Sequence, residues 1–462
     1  QALSADTLGN NSVAIGDAAL RAQNFTSATN TFNVAVGASA GISVTTGVQN
    51  TLLGALAGDA LTDADFNVAV GYLALTADTL GSRSVGIGYG ALQSQNFTTA
   101  TNSENVAVGF NSGAGITTGV QNTLIGALAG DALTDADSNV AVGHQSLSAN
   151  TKGGRAVAVG QFALAAQNLT TAGNVSYNTA VGYSAGSGIT SGVGNTIMGA
   201  IAGDALTDAD YNVAVGRSAL GLDTLGSTTT ALGFGTLATQ NFTTATNSFN
   251  AAVGYQAGTS VTTGTLNTFM GASAGDNITT GVQNIYLGYT ARGSANNNAR
   301  EIVIGQGAGA GSNSARFITS GGSLTIAIDG STTAWTAASD SRLKKDVADS
   351  TVGLEFIKDL RPVTFKWNAK NAVANSLPQY DADSSEPVYG EGKAHHGFIA
   401  QEVKTVIDAH SDVVNGHNIW VEDSNGTQQV APSSLVPMLV KAIQEQNALI
   451  EALAARIAVL EG

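Results

Sequence analysis

Short apolar runs that end in glycine recur along the first 305 residues of this 462-residue chain. Val68-Ala69-Val70-Gly71 is one such run, and Gly, Asn, Asp and Thr dominate the segments between runs. The closing glycines follow one another at intervals of 17 residues in most places, of 21 in three places and of 22 in one. They stand at positions 16, 37, 54, 71, 88, 109, 126, 143, 160, 182, 199, 216, 233, 254, 271, 288 and 305. The pattern predicts 17 coils, over 1–305, grouped in four superrepeats of 72 or 73 residues.

Each apolar run is expected to form a short β-strand, because large and small residues alternate in it. In Val68-Ala69-Val70 both valines would lie on one face and the alanine on the other. We expect the valines to fill the interior of the coil and the alanine face to permit close approach of a neighbour. A coil of 17 residues covers about 56 Å of chain at most, which is enough for two short strands and two turns. Sixteen steps of one strand spacing each would make a shaft about 77 Å long.

The repeat signatures resemble those of the β-roll in the heads of trimeric adhesins. The resemblance rests on NSVAIG, here Asn11 to Gly16, and on NTAVG, here Asn178 to Gly182, and it extends over about 300 residues. It implies a mostly β fold in which residues 1–305 of three chains build a trimeric β-solenoid (β-roll) shaft.

The larger coils each contain a loop of the same kind, and two interpretations of it are open. The loop is either a wider corner with its Phe or Leu packed underneath, which we favour, or a repeated contact with a glycan or a receptor. The four loops are Gln23–Thr26, Gln95–Thr98, Gln167–Thr170 and Gln240–Thr243.

Acidic turns also recur, in the segment AGDALTDAD. Stacked carboxylates could bind calcium, but the segment lacks the glycine and the terminal glutamate of a calcium loop, and Asp is an ordinary turn residue. We therefore expect turns and no metal. The residues concerned are Asp59, Asp63, Asp65, Asp131, Asp135, Asp137, Asp204, Asp208 and Asp210.

The period ends after Gly305, and residues 306–338 show a different pattern. Arg316–Ile318 and Ser323–Asp329 predict a hairpin-like pair of strands, with turns at Gly321-Gly322 and Asp329-Gly330. The open edge at the end of a solenoid has to be covered. We expect 306–338 to be a β neck or cap, which would become the distal tip if the chain were cut behind it.

Composition separates this long segment from the rest of the chain. Of the 462 residues 57 are glycine and none is cysteine, so a disulfide framework is excluded. Residues 1–338 contain a single lysine, Lys152, whereas the last 124 residues contain eight. The net charge of −15 makes nucleic acid an unfavourable partner. No apolar stretch reaches the length of about 20 residues that a membrane span needs, so no membrane insertion is expected.

Three ordered motifs characterise residues 339–462. They are Ser339-Asp340-Ser341-Arg342-Leu343-Lys344, then Leu360–Trp367 (LRPVTFKW), then Gly397–Val403 (GFIAQEV), and a long helix follows. The order resembles the intramolecular chaperone (peptidase S74) domain at the ends of phage tail fibres and endosialidase tailspikes. The resemblance implies a small α+β domain that directs assembly and then cuts itself from the fibre in a single turnover.

The cut implied by the resemblance lies between Ala338 and Ser339, and Ser339 and Lys344 would form the catalytic Ser/Lys dyad. A hydroxyl next to its own preceding carbonyl has the advantage of an intramolecular nucleophile. An ordinary lysine, with a pKa of about 10.4, is almost fully protonated at neutral pH. Lys344 therefore needs burial or nearby positive charge to act as a base. Arg342 and Lys345 could supply that charge, and trimer formation could supply the burial.

Three further residues are candidates for supporting roles. In the peptidase S74 family a histidine is assigned to folding or to cleavage, and either His395 or His396 could correspond to it. We favour ordinary structural histidines. Asp340 could cap a helix or pair with Arg342 as well as it could assist catalysis.

The predicted C-terminal helix, residues 434–461, carries a heptad pattern typical of a coiled coil. One core position holds Val436, Ile443, Ile450 and Ile457, and the other holds Leu439, Gln446, Leu453 and Leu460. Isoleucine followed by leucine at these positions slightly favours dimers. The prediction of three chains therefore comes from the two resemblances and not from the helix.

These observations predict a homotrimeric virion tail fibre, made in the host cytoplasm. It would bind other virion tail proteins, and a host-surface glycan or protein is a candidate receptor. No cofactor and no activity beyond self-cleavage is expected. The alternatives are a trimeric surface adhesin and a glycan-degrading tailspike, which would need carboxylates that converge outside the repeats.

Overall fold

A computed structural model of the chain describes residues 1–171, 173–320, 322–329, 336–337, 339–375, 377, 379–389, 392–413, 418–423 and 426–461. The chain divides into two compact units, Gln1–Ala338 and Ser339–Gly462. The first is a long β-solenoid, and the second is a small unit of short helices and two-stranded sheets with a terminal helix. The predicted mostly β fold class is confirmed.

The first unit is built on one ladder of parallel strands, one strand per coil. Each of the 17 three-residue strands ends directly before one of the repeated glycines, and neighbours pair in full register. The strands are β2 (Val13–Ile15), β4 (Val34–Val36), β5 (Thr51–Leu53), β6 (Val68–Val70), β8 (Val85–Ile87), β10 (Val106–Val108), β11 (Thr123–Ile125), β12 (Val140–Val142), β13 (Val157–Val159), β14 (Thr179–Val181), β15 (Thr196–Met198), β16 (Val213–Val215), β18 (Thr230–Leu232), β20 (Ala251–Val253), β21 (Thr268–Met270), β22 (Ile285–Leu287) and β24 (Ile302–Ile304).

The central residue of each strand lies inside the coil, and the two outer residues face outward. Ala69 is completely buried, whereas Val68 and Val70 on either side of it are partly exposed. The prediction that the valines fill the interior was therefore wrong. The interior is narrow, because leucines from the turns, such as Leu61 and Leu75, already occupy it. Only one strand side chain per coil fits there, and the outward face carries β-branched residues along its whole length.

The second strand predicted for every coil was also wrong for most coils. Two-residue strands pair only beside the larger coils and near the end of the shaft. Elsewhere in the described coils the chain turns through left-handed residues, such as Leu56 with φ 58° and Leu73 with φ 60°. The short strands are β1 (Gly9–Asn10), β3 (Thr29–Asn30), β7 (Gly81–Ser82), β9 (Thr101–Asn102), β17 (Gly226–Ser227), β19 (Thr246–Asn247), β23 (Ala291–Arg292) and β25 (Gly307–Ala308).

The repeated glycines form a column that no other residue could build. Gly71 has φ +135°, a conformation that L side chains rarely adopt, and a Cβ there would lie 2.4 Å from the carbonyl oxygen of Gly88 in the next coil. Close stacking of the coils thus explains why the glycine recurs with the period of the repeat.

Buried asparagines form a second column inside the solenoid. The Asn50 Oδ1 accepts from the backbone N–H of Asn67 at 3.0 Å, and the Asn67 Nδ2 donates to the carbonyl of Gly81 at 2.9 Å. The same bonds recur from coil to coil, at Asn122 and Asn139 for example. Each side chain satisfies backbone groups that would otherwise be buried without a partner.

The asparagine column ends at Glu301, which is completely buried. Its carboxylate accepts from the Tyr286 hydroxyl at 2.9 Å, from the Asn298 Nδ2 at 2.8 Å and from the Gly311 N–H at 2.7 Å. Burial, followed by the charge of Glu301, raises the pKa of Tyr286 far above its ordinary value. Glu301 therefore closes the column with three acceptor bonds where the regular repeat stops.

Three longer or antiparallel strands cover the end of the ladder. β26 (Ser314–Thr319) continues it in parallel next to β24, β27 (Gly322–Ala327) pairs with β26 in antiparallel fashion, and β28 (Thr336–Ala337) pairs with β27. A hairpin was predicted here and the third strand was not. Gly321, Gly330 and Trp335, which belong to the predicted turns and neck, lie outside the described residues.

The loops of the larger coils are wide corners with a buried apolar residue. Phe25, Phe97 and Phe242 are each 6 % exposed and Leu169 is 8 % exposed. The glutamine that opens each loop is completely buried. This is the first of the two interpretations of these loops.

The second unit packs two helices, a 3-10 turn and part of a long terminal helix around a small apolar core. Phe356 and Ile407 lie at its centre, with exposures of 1 % and 0 %. The helices are α1 (Leu354–Asp359), α2 (Ala400–Ala409) and α3 (Val436–Glu461), with 3-10 turns at Ser341–Leu343, Lys370–Ala372 and Pro432–Leu435. The strands β29 (Val363–Phe365) and β30 (His395–Gly397) form one antiparallel pair, and β31 (Trp420–Glu422) and β32 (Gln428–Val430) form another.

Candidate functional site

Ser339 and Lys344 meet at the start of the second unit. The 3-10 turn Ser341–Leu343 reverses the chain between them, and the Lys344 N–H donates to the Ser341 carbonyl at 3.1 Å. The reversal brings the Lys344 Nζ to 2.8 Å from the Ser339 Oγ, in hydrogen-bond contact. The two residues named as a dyad from the sequence are therefore adjacent in the structure.

The contact has the geometry of a nucleophile and its base, without exclusion of water. A general base must lie within about 2.6–3.2 Å of the proton that it removes, and the Ser339–Lys344 pair satisfies this. Both side chains are exposed in the single chain. The burial that a neutral lysine requires is not supplied by the described residues of one copy.

Asp340 holds the turn in place. Its Oδ1 accepts from the Arg342 backbone N–H at 2.9 Å and from the Arg342 Nε at 3.0 Å, and the guanidinium also contacts Oδ2 at 2.6 Å. These bonds to Arg342 lower the pKa of Asp340, and the bond to Asp340 raises the pKa of Arg342. Asp340 is thus both the cap of the 3-10 turn and the partner of Arg342.

The two cations expected to assist Lys344 each have an acidic neighbour. Arg342 is paired with Asp340, and the Lys345 Nζ lies 4.0 Å from the Asp346 carboxylate. Because each positive charge is balanced locally, neither residue supplies an unpaired charge beside Lys344 in the single chain.

His395 and His396 lie in β30, opposite Phe365 and Thr364 of β29. The His396 Nδ1 is 3.3 Å from the Thr364 hydroxyl, and the His395 ring packs 5.8 Å from the ring of Phe365. The His395 Nε2 is buried without a hydrogen-bond partner among the described residues. No hydrogen bond in the described part of the chain joins either histidine to Ser339 or Lys344.

An ion pair that the sequence analysis did not anticipate joins two of the motifs. Arg361, from LRPVTFKW, donates through Nε to the Glu402 Oε2 at 2.9 Å, and Glu402 belongs to GFIAQEV. The bond lowers the pKa of Glu402. Nothing in the spacing of the two motifs indicates this contact, since it depends on how β29 and α2 pack.

The terminal helix α3 has an apolar stripe without a cover in the single chain. Its N-terminal part contacts α1, and the Glu445 Oε2 accepts from the Leu354 N–H at 2.8 Å. Further along, Ile450 is 56 % exposed and Leu453 is 59 % exposed. Contiguous exposed apolar surface of this kind marks an interaction site.

Residues 339–412 match the family model described as chaperone of endosialidase, of the peptidase S74 type. The second unit carries a chaperone of endosialidase domain. The match begins at Ser339, the residue at which the compact unit begins. No curated protein and no solved structure matches the chain.

The chaperone of endosialidase domain gives the chain its coarse function. Its peptidase S74 family implies autoproteolytic activity, and together with the long β-solenoid it indicates a tailspike-like or fibre-like protein with a C-terminal chaperone. The family also suggests a trimeric assembly in a virion. Ala338, the other residue of the expected cleavage site, lies outside the described residues.

The acidic turns of the shaft serve the backbone. Asp65, Asp137 and Asp210 each accept from a backbone N–H of the preceding coil, at 2.7–2.8 Å. In the described part of the chain, no group of three or more acidic or histidine side chains is arranged to hold a metal ion. Within the same ranges, no helix combines the length and the apolarity required of a membrane span.

Proposed function

We propose that the chain is a structural virion fibre whose chaperone of endosialidase domain aligns three copies and is then released by cleavage between Ala338 and Ser339. The 2.8 Å contact between the Ser339 Oγ and the Lys344 Nζ, at the first residue of the matched domain, is the observation that carries the proposal. The glycan-degrading alternative has no comparable support from the described residues.

The proposed cleavage proceeds in two steps. Neutral Lys344 takes the proton of the Ser339 hydroxyl while Oγ attacks the Ala338 carbonyl carbon, and the C–N bond breaks as the nitrogen of Ser339 gains a proton. The product is an ester between the Ala338 acyl group and the Ser339 Oγ. Water then hydrolyses this ester, which leaves a carboxylate on Ala338 and a free amine and hydroxyl on Ser339.

Assembly would supply the burial that the single chain lacks. Lys344 is exposed in one copy, and the apolar stripe of α3 gives copies of the domain a reason to associate. Packing against a second copy would remove water from Lys344 and favour its neutral form. Cleavage would then follow correct assembly and would not precede it.

The shaft explains why alignment is needed. Its strands repeat in full register with nearly identical sequences, so chains offset by one coil or by a whole superrepeat would still pair. The outward strand faces, with Ile15 and Met198 among their exposed residues, are the surfaces through which copies would pack. Loss of the chaperone after alignment would make unfolding effectively irreversible.

The test is the intact mass of the full-length protein after expression and assembly. The expected result is two fragments, the second of which begins with Ser339. Ser339→Ala and Lys344→Ala should each remain a single uncut chain. The matched controls Ser341→Ala and Lys345→Ala remove the neighbouring residues of the same types, and both should still cut.

Two outcomes would reject the proposal. One is an uncut wild-type chain in the assembled state, and the other is equal loss of cleavage in Lys345→Ala and Lys344→Ala. The dependence of cleavage on assembly is checked separately with Ile450→Asp in α3. This variant should remain both monomeric and uncut, since Lys344 stays in water.

A further inference from the structure

The four superrepeats provide an internal comparison that isolates one unusual coil. In three of the four larger coils a buried glutamine donates to a carboxylate, and Gln95 with Asp78 at 2.6 Å is an example. In the third superrepeat the residue at the carboxylate position is Asn150, and the Nε2 of the completely buried Gln167 has no partner. This coil is also the one of 22 residues.

The same coil has lost a pair of short strands. The equivalent coils pair two residues with two, as Gly81–Ser82 does with Thr101–Asn102. Here a single bridge between Gly154 and Val175 remains. Gly154 also stands where an equivalent coil has Ser82, whose hydroxyl accepts from a backbone N–H of the neighbouring coil. The missing side chain and strand contacts open the wall of the shaft at this place.

A cleft of about 300 Å³ lies at the opening, and its lining is charged. It contains Lys152, the one lysine of residues 1–338, where the equivalent coils have Leu8, Leu80 and Leu225. It also contains Arg155, Asp135 and Asp137. The substitution from leucine to a half-buried lysine occurs only in the coil that is open.

Neither cation of the cleft has an acidic partner among the described residues. Arg83, which stands where the third superrepeat has Arg155, lies 3.6 Å from the Glu104 carboxylate. Tyr177 occupies the position of Glu104 in the third superrepeat, and Arg155 donates to its hydroxyl at 2.8 Å with the guanidinium 5.8 Å from the ring centre. Most of the guanidinium donors of Arg155 therefore remain available for a ligand.

We propose that this cleft binds an acidic saccharide, a sugar ring that carries one carboxylate and several hydroxyls. Arg155 and Lys152 fit the carboxylate, since a guanidinium binds a planar carboxylate through two parallel bonds. Asp135 and Asp137 accept hydrogen bonds from sugar hydroxyls, and they repel a compact dianion such as phosphate. A volume of about 300 Å³ is at the lower end for small-molecule sites and suits one or two rings.

The inference rests on the proposed function, because a virion fibre meets saccharides at the host surface, but it fails or survives separately. It is tested with the full-length assembled protein by ligand-observed NMR with glucuronic acid. Glucose and inorganic phosphate serve as probes that lack the carboxylate or the hydroxyls. Arg155→Gln should weaken binding of glucuronic acid by about tenfold or more, and Lys152→Gln should weaken it in the same direction.

Arg83→Gln is the matched control, since it removes the equivalent arginine from the closed coil of the preceding superrepeat. This variant should bind glucuronic acid as the wild type does, and an unchanged melting curve of Arg155→Gln would show that the shaft is intact. Equal binding by Arg155→Gln and the wild type would overturn the inference, as would binding of glucose or phosphate with the affinity of glucuronic acid. An absence of binding to glucuronic acid would also overturn it, even if cleavage at Ser339 proceeds as proposed.

Discussion

Replacement of the buried glutamine of a larger coil should have very different effects in the second and third superrepeats. Gln95 makes three bonds with completely buried partners, to the Asp78 Oδ2 at 2.6 Å, to the Ser84 Oγ at 2.8 Å and from the Asn105 Nδ2 at 2.9 Å. Gln95→Leu would leave a buried carboxylate, a hydroxyl and an amide with fewer partners. From typical costs of unsatisfied groups, the loss of stability is about 4 kcal/mol.

Gln167→Leu should cost much less. Gln167 accepts one bond, from the Asn178 Nδ2 at 2.8 Å, and its own Nε2 is buried without a partner. The leucine removes that unpaired donor while it removes one bond, so the net loss is about 1 kcal/mol or less. The two variants exchange the same residue types in equivalent coils, and this makes the comparison independent of side-chain volume.

Native-state hydrogen exchange of the shaft, followed by mass spectrometry, measures the difference locally. Stability of a solenoid is a sum over coils and their interfaces, so each substitution should act mainly on peptides from its own coil. A difference of about 3 kcal/mol corresponds to a ratio of exchange rates on the order of a hundredfold. Equal acceleration in the two coils would refute the assignment of the hydrogen-bond network, and so would a larger effect for Gln167→Leu.

Three single positions of the shaft give further measurable outcomes. Burial raises the pKa of Asp78, so the folded state binds its proton more tightly than the unfolded state. Protection of this coil from exchange should rise as the pH falls from 7 towards about 4, and Asp78→Asn should abolish the change. Gly71→Ala, with its Cβ 2.4 Å from a carbonyl oxygen, should cost at least about 3 kcal/mol in thermal unfolding, whereas Gly311→Ala, where nothing lies within 4 Å, should cost less. Glu301→Gln replaces one acceptor oxygen by a donor facing N–H or O–H groups, and chemical denaturation should show a loss of about 1–3 kcal/mol; an unchanged midpoint would contradict its role as the end of the column.

The period of the shaft was predictable from the sequence, but its inside and outside were not. The repeated glycines mark the strand ends because backbone stacking leaves no room for a side chain. Alternation in Val68-Ala69-Val70 is equally consistent with either face inside, and the size of the interior decides between them. A signal was present in coils such as Thr268-Phe269-Met270, where the large residue is central and completely buried and a polar threonine precedes it.

At the candidate site, the resemblance predicted the residue types, and the backbone accounts for their contact. A spacing of five residues brings Lys344 to Ser339 only because Asp340 stabilises a 3-10 turn between them. The exposure of Lys344 could not be predicted, since burial depends on surfaces distant in sequence. Lys152 was noticeable in the composition, but its importance depends on the missing strand pair around it.

The direction of the ladder has a mechanical consequence. The hydrogen bonds between coils lie roughly at right angles to the strands, and therefore along the direction in which the coils stack. Tension along that direction loads the bonds in series, so that coils would detach one after another from an end. Force across the stack loads many coils at once and meets far greater resistance. The weakest point of the shaft under tension is therefore its last coils, where the Glu301 carboxylate and the antiparallel strands hold the final layer.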